Sequence, residues 1–174
     1  MQNIHPLFVH FPIALFTIFT LLEILPWKRF QRSRSGFLIK ATFIIIGSLS
    51  SLVTLKTGEM AEEALGNSSS IHNLVETHST FANAASYIYG FIALLYLITL
   101  IERYAPLGDK SPRLISIWNR VLKIKNYFWK RFFLVPLAVI GLALITITGS
   151  LGAAIVYGPD IDPVVKFIYS MFAN

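Results

Sequence analysis

Four long apolar stretches dominate the pattern of hydrophobic and polar positions along the chain. Each is long enough to cross about 30 Å of hydrocarbon as a helix, which takes roughly 20 residues. Because lipid cannot satisfy the hydrogen bonds of irregular backbone, these stretches predict transmembrane helices. The predicted spans cover about 7–25, 37–55, 78–102 and 132–157.

Two shorter segments have the composition of helices that lie at the lipid headgroups. The segment at about 113–130 mixes bulky apolar residues with Lys and Arg, and the segment at about 163–173 is largely apolar. The chain contains no linker long enough to separate domains. The pattern therefore predicts a single all-α membrane domain over 1–174, built as a four-transmembrane-helix bundle with interfacial helices.

The composition supports a membrane protein and limits its chemistry. Hydrophobic residues make up 55% of the chain and charged residues only 14%, whereas a soluble domain averages about 25% charged residues. The chain has no cysteine. This excludes disulfides, covalent c-type haem attachment, cysteine-ligated iron–sulfur clusters and thiol catalysis.

The distribution of charge predicts the orientation in the membrane. Thirteen of the 15 Lys and Arg residues lie in the loop between the first and second spans, in the loop between the third and fourth, or, for Lys40, in the first turn of the second span, and the other long loop is acidic. By the positive-inside rule, both basic loops are cytoplasmic. The N-terminus, the acidic loop and the C-terminus then face outward. Since the net charge of +6 reports topology, we expect no nucleic-acid partner. The first span lacks the features of a cleaved signal peptide and should persist as a helix.

All four histidines fall on the predicted outer side, namely His5, His10, His72 and His78. Ionisable groups near a membrane are costly and are usually paired or functional. Haem b requires an axial histidine from each of two facing helices. Because His10 and His78 lie at similar depth near the apolar boundary, they are the predicted haem b ligands. His5 and His72 would ligate a second haem or stabilise propionates.

Small residues are concentrated in the outer halves of the second, third and fourth spans, at the predicted depth of the histidines. They permit close helix packing, or they leave room for a flat cofactor, and the sequence leaves both interpretations open. The set comprises Gly47, Ser51, Thr54, Gly58, Ala82, Ala85, Ser86, Thr148, Gly149, Gly152 and Ala153.

Two alternatives to haem follow from the same residues. The first is a zinc or copper site, since such sites use three or four N, O or S ligands. Its candidate ligands are His5, His10, His72, His78, Glu62, Glu63 and Glu76. On a helix capped by Ser69 or Ser70, Glu76 would lie on the same face as His72 and could orient its imidazole. The second alternative has no cofactor: the chain would be a structural accessory subunit of a larger membrane complex.

The carboxylates near the predicted inner ends of the spans have a simpler expected role. Glu23 and Glu102 should snorkel or pair with Arg29 or Arg103. No charged residue falls in the middle of a span, as a transporter would more often show. No metalloprotease, P-loop, nucleophile-elbow or dinucleotide-binding motif occurs either. An electron-transfer or accessory subunit is therefore favoured over a stand-alone enzyme.

The segment 5–15, HPLFVHFPIAL, resembles the opening motif of the bacterial multi-pass membrane family called domain of unknown function 2231. The run 57–63 (TGEMAEE), His78 and the pair Tyr157-Gly158 extend the resemblance over most of the chain. The chain departs from the family pattern at Ser79, where relatives carry Glu. The resemblance implies a four-helix inner-membrane protein with histidines at the outer ends of helices 1 and 3. It also implies electron transfer, because similar proteins are joined to c-type cytochrome domains.

The favoured hypothesis is therefore a membrane-embedded redox subunit with haem b bound by histidines near the outer face. Its expected surroundings are the lipid bilayer and a c-type cytochrome or larger membrane complex. A second copy of the chain is a further expected partner, because a bundle of only four spans is small and is expected to need neighbours.

Overall fold

The computed structural model of the chain describes residues 5–65, 71–105 and 111–172, and the regular structure in those ranges is helical. Four of its helices are long and apolar enough to cross a membrane. In chain order the helices are α1 (His5–Ile24), α2 (Lys28–Arg32), α3 (Arg34–Leu65), α4 (His72–Tyr104), α5 (Pro112–Phe128), α6 (Arg131–Tyr157) and α7 (Pro163–Phe172). The predicted all-α fold with four transmembrane helices is confirmed.

Two of the long helices extend well beyond their predicted spans. α3 begins at Arg34 and ends at Leu65, and α4 begins at His72. Hydropathy marks the part of a helix that lipid can surround, whereas backbone hydrogen bonding continues into polar sequence. The predicted caps Ser69 and Ser70 lie outside the described residues. Ile71 occupies the N-cap position of α4 and makes no side-chain cap.

The short helix α2 was not predicted, because its five residues are too few to show a periodic pattern. The other two short helices were predicted, and both form. α5 occupies most of the segment at about 113–130, and α7 occupies most of the segment at about 163–173.

The four long helices form a bundle in which α1 and α4 occupy opposite corners. α1 packs against α3 and α6, and α4 packs against the same two helices. α1 and α4 therefore face each other across the diagonal of the bundle. We call the end that contains His5 and His78 the histidine end, and the end that contains Glu23 and Lys40 the basic end.

The middle of the diagonal is filled by aromatic rings and a small polar cluster. The rings of Phe16 and Tyr89 stack with their centroids 4.0 Å apart. The Tyr89 hydroxyl lies 2.9 Å from the Thr20 hydroxyl, and both lie 3.4 Å from the carbonyl oxygen of Ala138. A buried tyrosine needs such partners for its hydroxyl. This cluster links α1, α4 and α6 in the core.

A buried ion pair closes the basic end. Nζ of Lys40 lies 2.8 Å from Oε2 of Glu23, and both side chains are less than 10% exposed. The Tyr96 hydroxyl donates to the same oxygen at 2.8 Å, and Lys40 also donates to Oε1 of Gln31 at 2.6 Å. Each polar group of the pair is therefore hydrogen-bonded, as burial requires.

The pairing of the two inner carboxylates was predicted correctly, but their partners were not. Glu23 pairs with Lys40 rather than Arg29. Glu102 pairs with Lys125, whose Nζ lies 2.7 Å away. The reason is tertiary: the turn through α2 brings α3 back against α1, and α5 folds against the end of α4.

The helix α7 covers one side of the histidine end. The Asp162 carboxylate accepts hydrogen bonds from the backbone amides of Val164 and Val165 at 2.8 and 3.0 Å, which is the expected geometry of an N-cap. Val165 and Ile168 are buried in a cluster with residues of α4 and α6. On α7 itself, the exposed Lys166 donates a hydrogen bond to the carboxylate of Asp160. This carboxylate raises the pKa of the Lys166 ammonium group.

Candidate histidine site

The imidazole of His78 is oriented by the backbone of α6. Its Nδ1 atom lies 2.9 Å from the carbonyl oxygen of Thr148. A carbonyl can only accept, so Nδ1 carries the proton and donates. In the neutral ring the lone pair is then on Nε2, which is available to a metal.

The imidazole of His5 is oriented in a similar way by α3. Its Nδ1 atom lies 3.1 Å from the hydroxyl oxygen of Thr57. That hydroxyl donates its single proton to the carbonyl of Thr54 at 2.9 Å, so its oxygen accepts from Nδ1 of His5. The Thr54 carbonyl also interacts with this imidazole.

A glycine lies against each imidazole. A Cβ atom built on Gly58 would be 3.2 Å from Cε1 of His5, and one built on Gly152 would be 3.2 Å from Cε1 of His78. Contacts this short are rare for real Cβ atoms. At these two positions the small residues accommodate the histidine rings themselves, which the sequence pattern did not reveal.

His5 and His78 lie at the same end of the bundle, on two diagonally opposite helices. His5 begins α1 and His78 lies in the second turn of α4. Two helices at opposite corners therefore each contribute one imidazole to the same end of the core.

His10 takes a different position from His5 although both belong to α1. The two residues are five positions apart, which is about 140° around a helix. The side chain of His10 is exposed on the outside of the bundle, whereas His5 is half-buried. The structure thus places His5 at the same end of the core as His78 and leaves the side chain of His10 exposed on the surface.

The remaining candidate ligands are dispersed. His72 is half-buried at the start of α4, Glu76 is exposed one turn later, and Glu62 is half-buried near the end of α3. Among the described residues, no three His, Asp or Glu side chains form a group that could hold a metal ion. The arrangement therefore gives the zinc or copper hypothesis no structural support.

The hydrogen-bond partners Thr57 and Thr148 were not predicted as site residues. Thr57 precedes Gly58 directly, and Thr148 precedes Gly152 by four residues, which is one turn of helix. The signal that was available is the occurrence of a threonine and a glycine together near the histidine end of both α3 and α6. It points to a site only once the histidine opposite each pair is known.

The fold and site define a four-helix membrane protein with two oriented histidines at one end of the bundle. No family model, curated protein or solved structure matches this chain. The resemblance of the segment 5–15 to the family of domain of unknown function 2231 therefore stays a prediction.

Proposed function

We propose that this protein is a membrane-embedded electron-transfer subunit that binds haem b through His5 and His78. The observation that carries the proposal is the placement of two imidazoles at one end of the bundle, on diagonally opposite helices, each oriented by a hydrogen bond at Nδ1. This pair replaces the pair of His10 and His78 favoured by the sequence.

The donor set fits an axial pair of haem ligands. A histidine that binds a metal usually donates its other ring N–H to a carbonyl or a similar acceptor, which fixes the tautomer. Thr148 and Thr57 provide such acceptors. Two histidines on facing helices of a bundle are a known arrangement for haem b. Since two imidazoles suffice for haem, this cofactor suits the site better than a zinc ion, which needs more ligands.

The protein side chains would hold and tune the cofactor. Haem iron, when bound, supplies a centre that accepts and releases one electron. The hydrogen bonds from His78 to Thr148 and from His5 to Thr57 would fix the ring planes and raise the basicity of both ligands. Gly58 and Gly152 would keep each ring against its supporting helix.

The charge of the loops indicates which side of the membrane the proposed haem site faces. The basic loops favour a cytoplasmic location for the basic end, so the histidine end would face the periplasm of a bacterial inner membrane. A c-type cytochrome or a larger membrane complex would then exchange electrons with the site from that side.

The direct test is an absorption spectrum of the protein purified in mild detergent from haem-supplemented cells. We expect a Soret band, with sharp α and β bands after reduction by dithionite. A featureless spectrum from folded protein would contradict the proposal and would favour the structural accessory subunit.

A further inference from the structure

A second feature lies at the opposite end of the bundle from the histidines. A cavity of about 300 Å³ opens at the basic end, where α1, α2, α3, α4 and α6 meet. Among the described residues, four cationic side chains and one carboxylate, that of Glu23, line it. The cations are Arg32, Lys40, Arg103 and Arg131.

The single carboxylate is already neutralised. Glu23 is held by Lys40 at 2.8 Å and by the Tyr96 hydroxyl at 2.8 Å. The charge that remains at the cavity belongs to three exposed arginines, Arg32, Arg103 and Arg131. The cavity therefore has a strongly positive mouth above a buried, internally satisfied ion pair.

The backbone carbonyls at the end of α1, which would repel an anion, already accept hydrogen bonds from side chains. The last carbonyls of α1 carry partial negative charge. Nε2 of Gln31 donates to the carbonyls of Leu22 and Leu25 at 2.7 and 3.0 Å. Nη2 of Arg131 donates to that of Ile24 at 2.7 Å. A guanidinium has five N–H groups, so Arg131 retains donors for a ligand.

Part of the cavity wall is apolar. It is formed by Phe37, Trp129 and Leu134, and the guanidinium of Arg103 lies 4.3 Å above the ring of Phe37. The cavity also lies where α3 and α6 begin, since Ser33 and Arg131 line it. Helix N-termini favour anions.

We propose that this cavity binds a phosphate group, held by Arg32, Arg103 and Arg131. Arginine matches the geometry of phosphate oxygens through its paired N–H donors. A basic cavity between transmembrane helices is also suited to the headgroup of an anionic phospholipid. The aromatic and aliphatic wall favours a lipid phosphodiester over a small soluble phosphate, because the wall can cover glycerol and acyl carbons. This site is independent of the proposed haem site.

Native mass spectrometry of the full-length protein in detergent would test the proposal. The probes are a short-chain phosphatidylglycerol, the matching phosphatidylcholine and inorganic phosphate. The test variant is Arg32→Gln/Arg103→Gln, which leaves the hydrogen bonds of Arg131 to α1 intact. The matched control is Arg113→Gln/Arg120→Gln, which removes the same charge from exposed positions of α5. Arg32→Gln alone serves if the double variant does not fold.

We expect wild type to bind phosphatidylglycerol at least about tenfold more tightly than phosphatidylcholine, and the test variant to lose about tenfold. The control variant should stay within about twofold of wild type, since exposed charges contribute little. Failure of inorganic phosphate to compete would identify a lipid headgroup, and competition would identify a soluble phosphate compound. Equal binding of both lipids, or equal loss in the test and control variants, would overturn the proposal.

Discussion

The ring of His78 lies directly against the backbone of Gly152, with Cε1 3.2 Å from the position that a Cβ atom would occupy. One turn earlier on α6, the carbonyl of Thr148 accepts the hydrogen bond from Nδ1 of the same ring. The imidazole is thus held at two points of one helix. The orientation of His78 is therefore set by α6 rather than by its own helix.

Gly152→Ala should disturb this arrangement, because the new methyl group would displace the imidazole by a few tenths of an ångström. An alanine in a helix normally gains about 1 kcal/mol over glycine. We expect that gain at Gly149, where an added Cβ meets nothing within 4 Å. At Gly152 this gain in stability should be cancelled or reversed, because overpacking against the imidazole costs about 1–2 kcal/mol. Detergent unfolding of the two variants measures the difference, and equal stability would contradict it.

Gly141→Ala should be more disruptive than Gly152→Ala. A Cβ atom at Gly141 would lie 2.8 Å from two ring carbons of the buried Tyr89. That ring is stacked on Phe16, so it cannot move aside freely. We expect a loss of about 1–3 kcal/mol in unfolding free energy. Gly90→Ala, with nothing within 4 Å of its added Cβ, is the neighbouring control and should be neutral or stabilising.

The transmembrane spans were predictable because lipid imposes a length and a polarity on each one. The sequence did not indicate whether His5 or His10 would lie at the same end of the core as His78. His5 and His10 differ by five residues, so only one of them can face the diagonal. Which one does so depends on how α1 fits between α3 and α6, and a single helix pattern does not contain that information.

The buried ion pair at the basic end should be sensitive to removal of one partner. Lys40→Met leaves Glu23 buried beside Tyr96 without a counter-charge, and such losses cost about 3–5 kcal/mol. The double variant Glu23→Gln/Lys40→Met should recover a large part of that loss. Glu59→Gln, which removes the exposed pair of Lys56 and Glu59, should give no measurable change. A single variant as stable as wild type would contradict this account.

Lys40 also shows why this ion pair could not be predicted from sequence. It lies 17 residues after Glu23, beyond any helical spacing. The pairing depends on α2, a five-residue helix whose Gln31 hydrogen-bonds to both Lys40 and the end of α1. A segment this short has no periodic signal of its own.

The carbonyl of Phe8 has no donor within α1, because Pro12 lacks an amide hydrogen. The Thr54 hydroxyl lies 3.2 Å from that carbonyl oxygen and 3.1 Å from the carbonyl oxygen of Ser50, and it shares its single proton between the two. Thr54→Val should therefore cost about 1 kcal/mol. In a Pro12→Ala background the restored amide can donate to Phe8 instead, so the same substitution should cost less. A double-mutant cycle measures this coupling, and Thr54→Ser should behave as wild type. Strictly additive effects would show that the two residues are not coupled.

The central claim is that His5 and His78 together form the ligand pair. The most direct test compares the reduced absorption spectrum and haem content of His5→Ala, His78→Ala and His10→Ala, all purified from haem-supplemented cells. His10→Ala is the matched control, because it removes an exposed imidazole from the same helix. We predict that the first two variants lose the six-coordinate haem spectrum while His10→Ala retains it. Retention of the spectrum in His5→Ala together with its loss in His10→Ala would contradict the account.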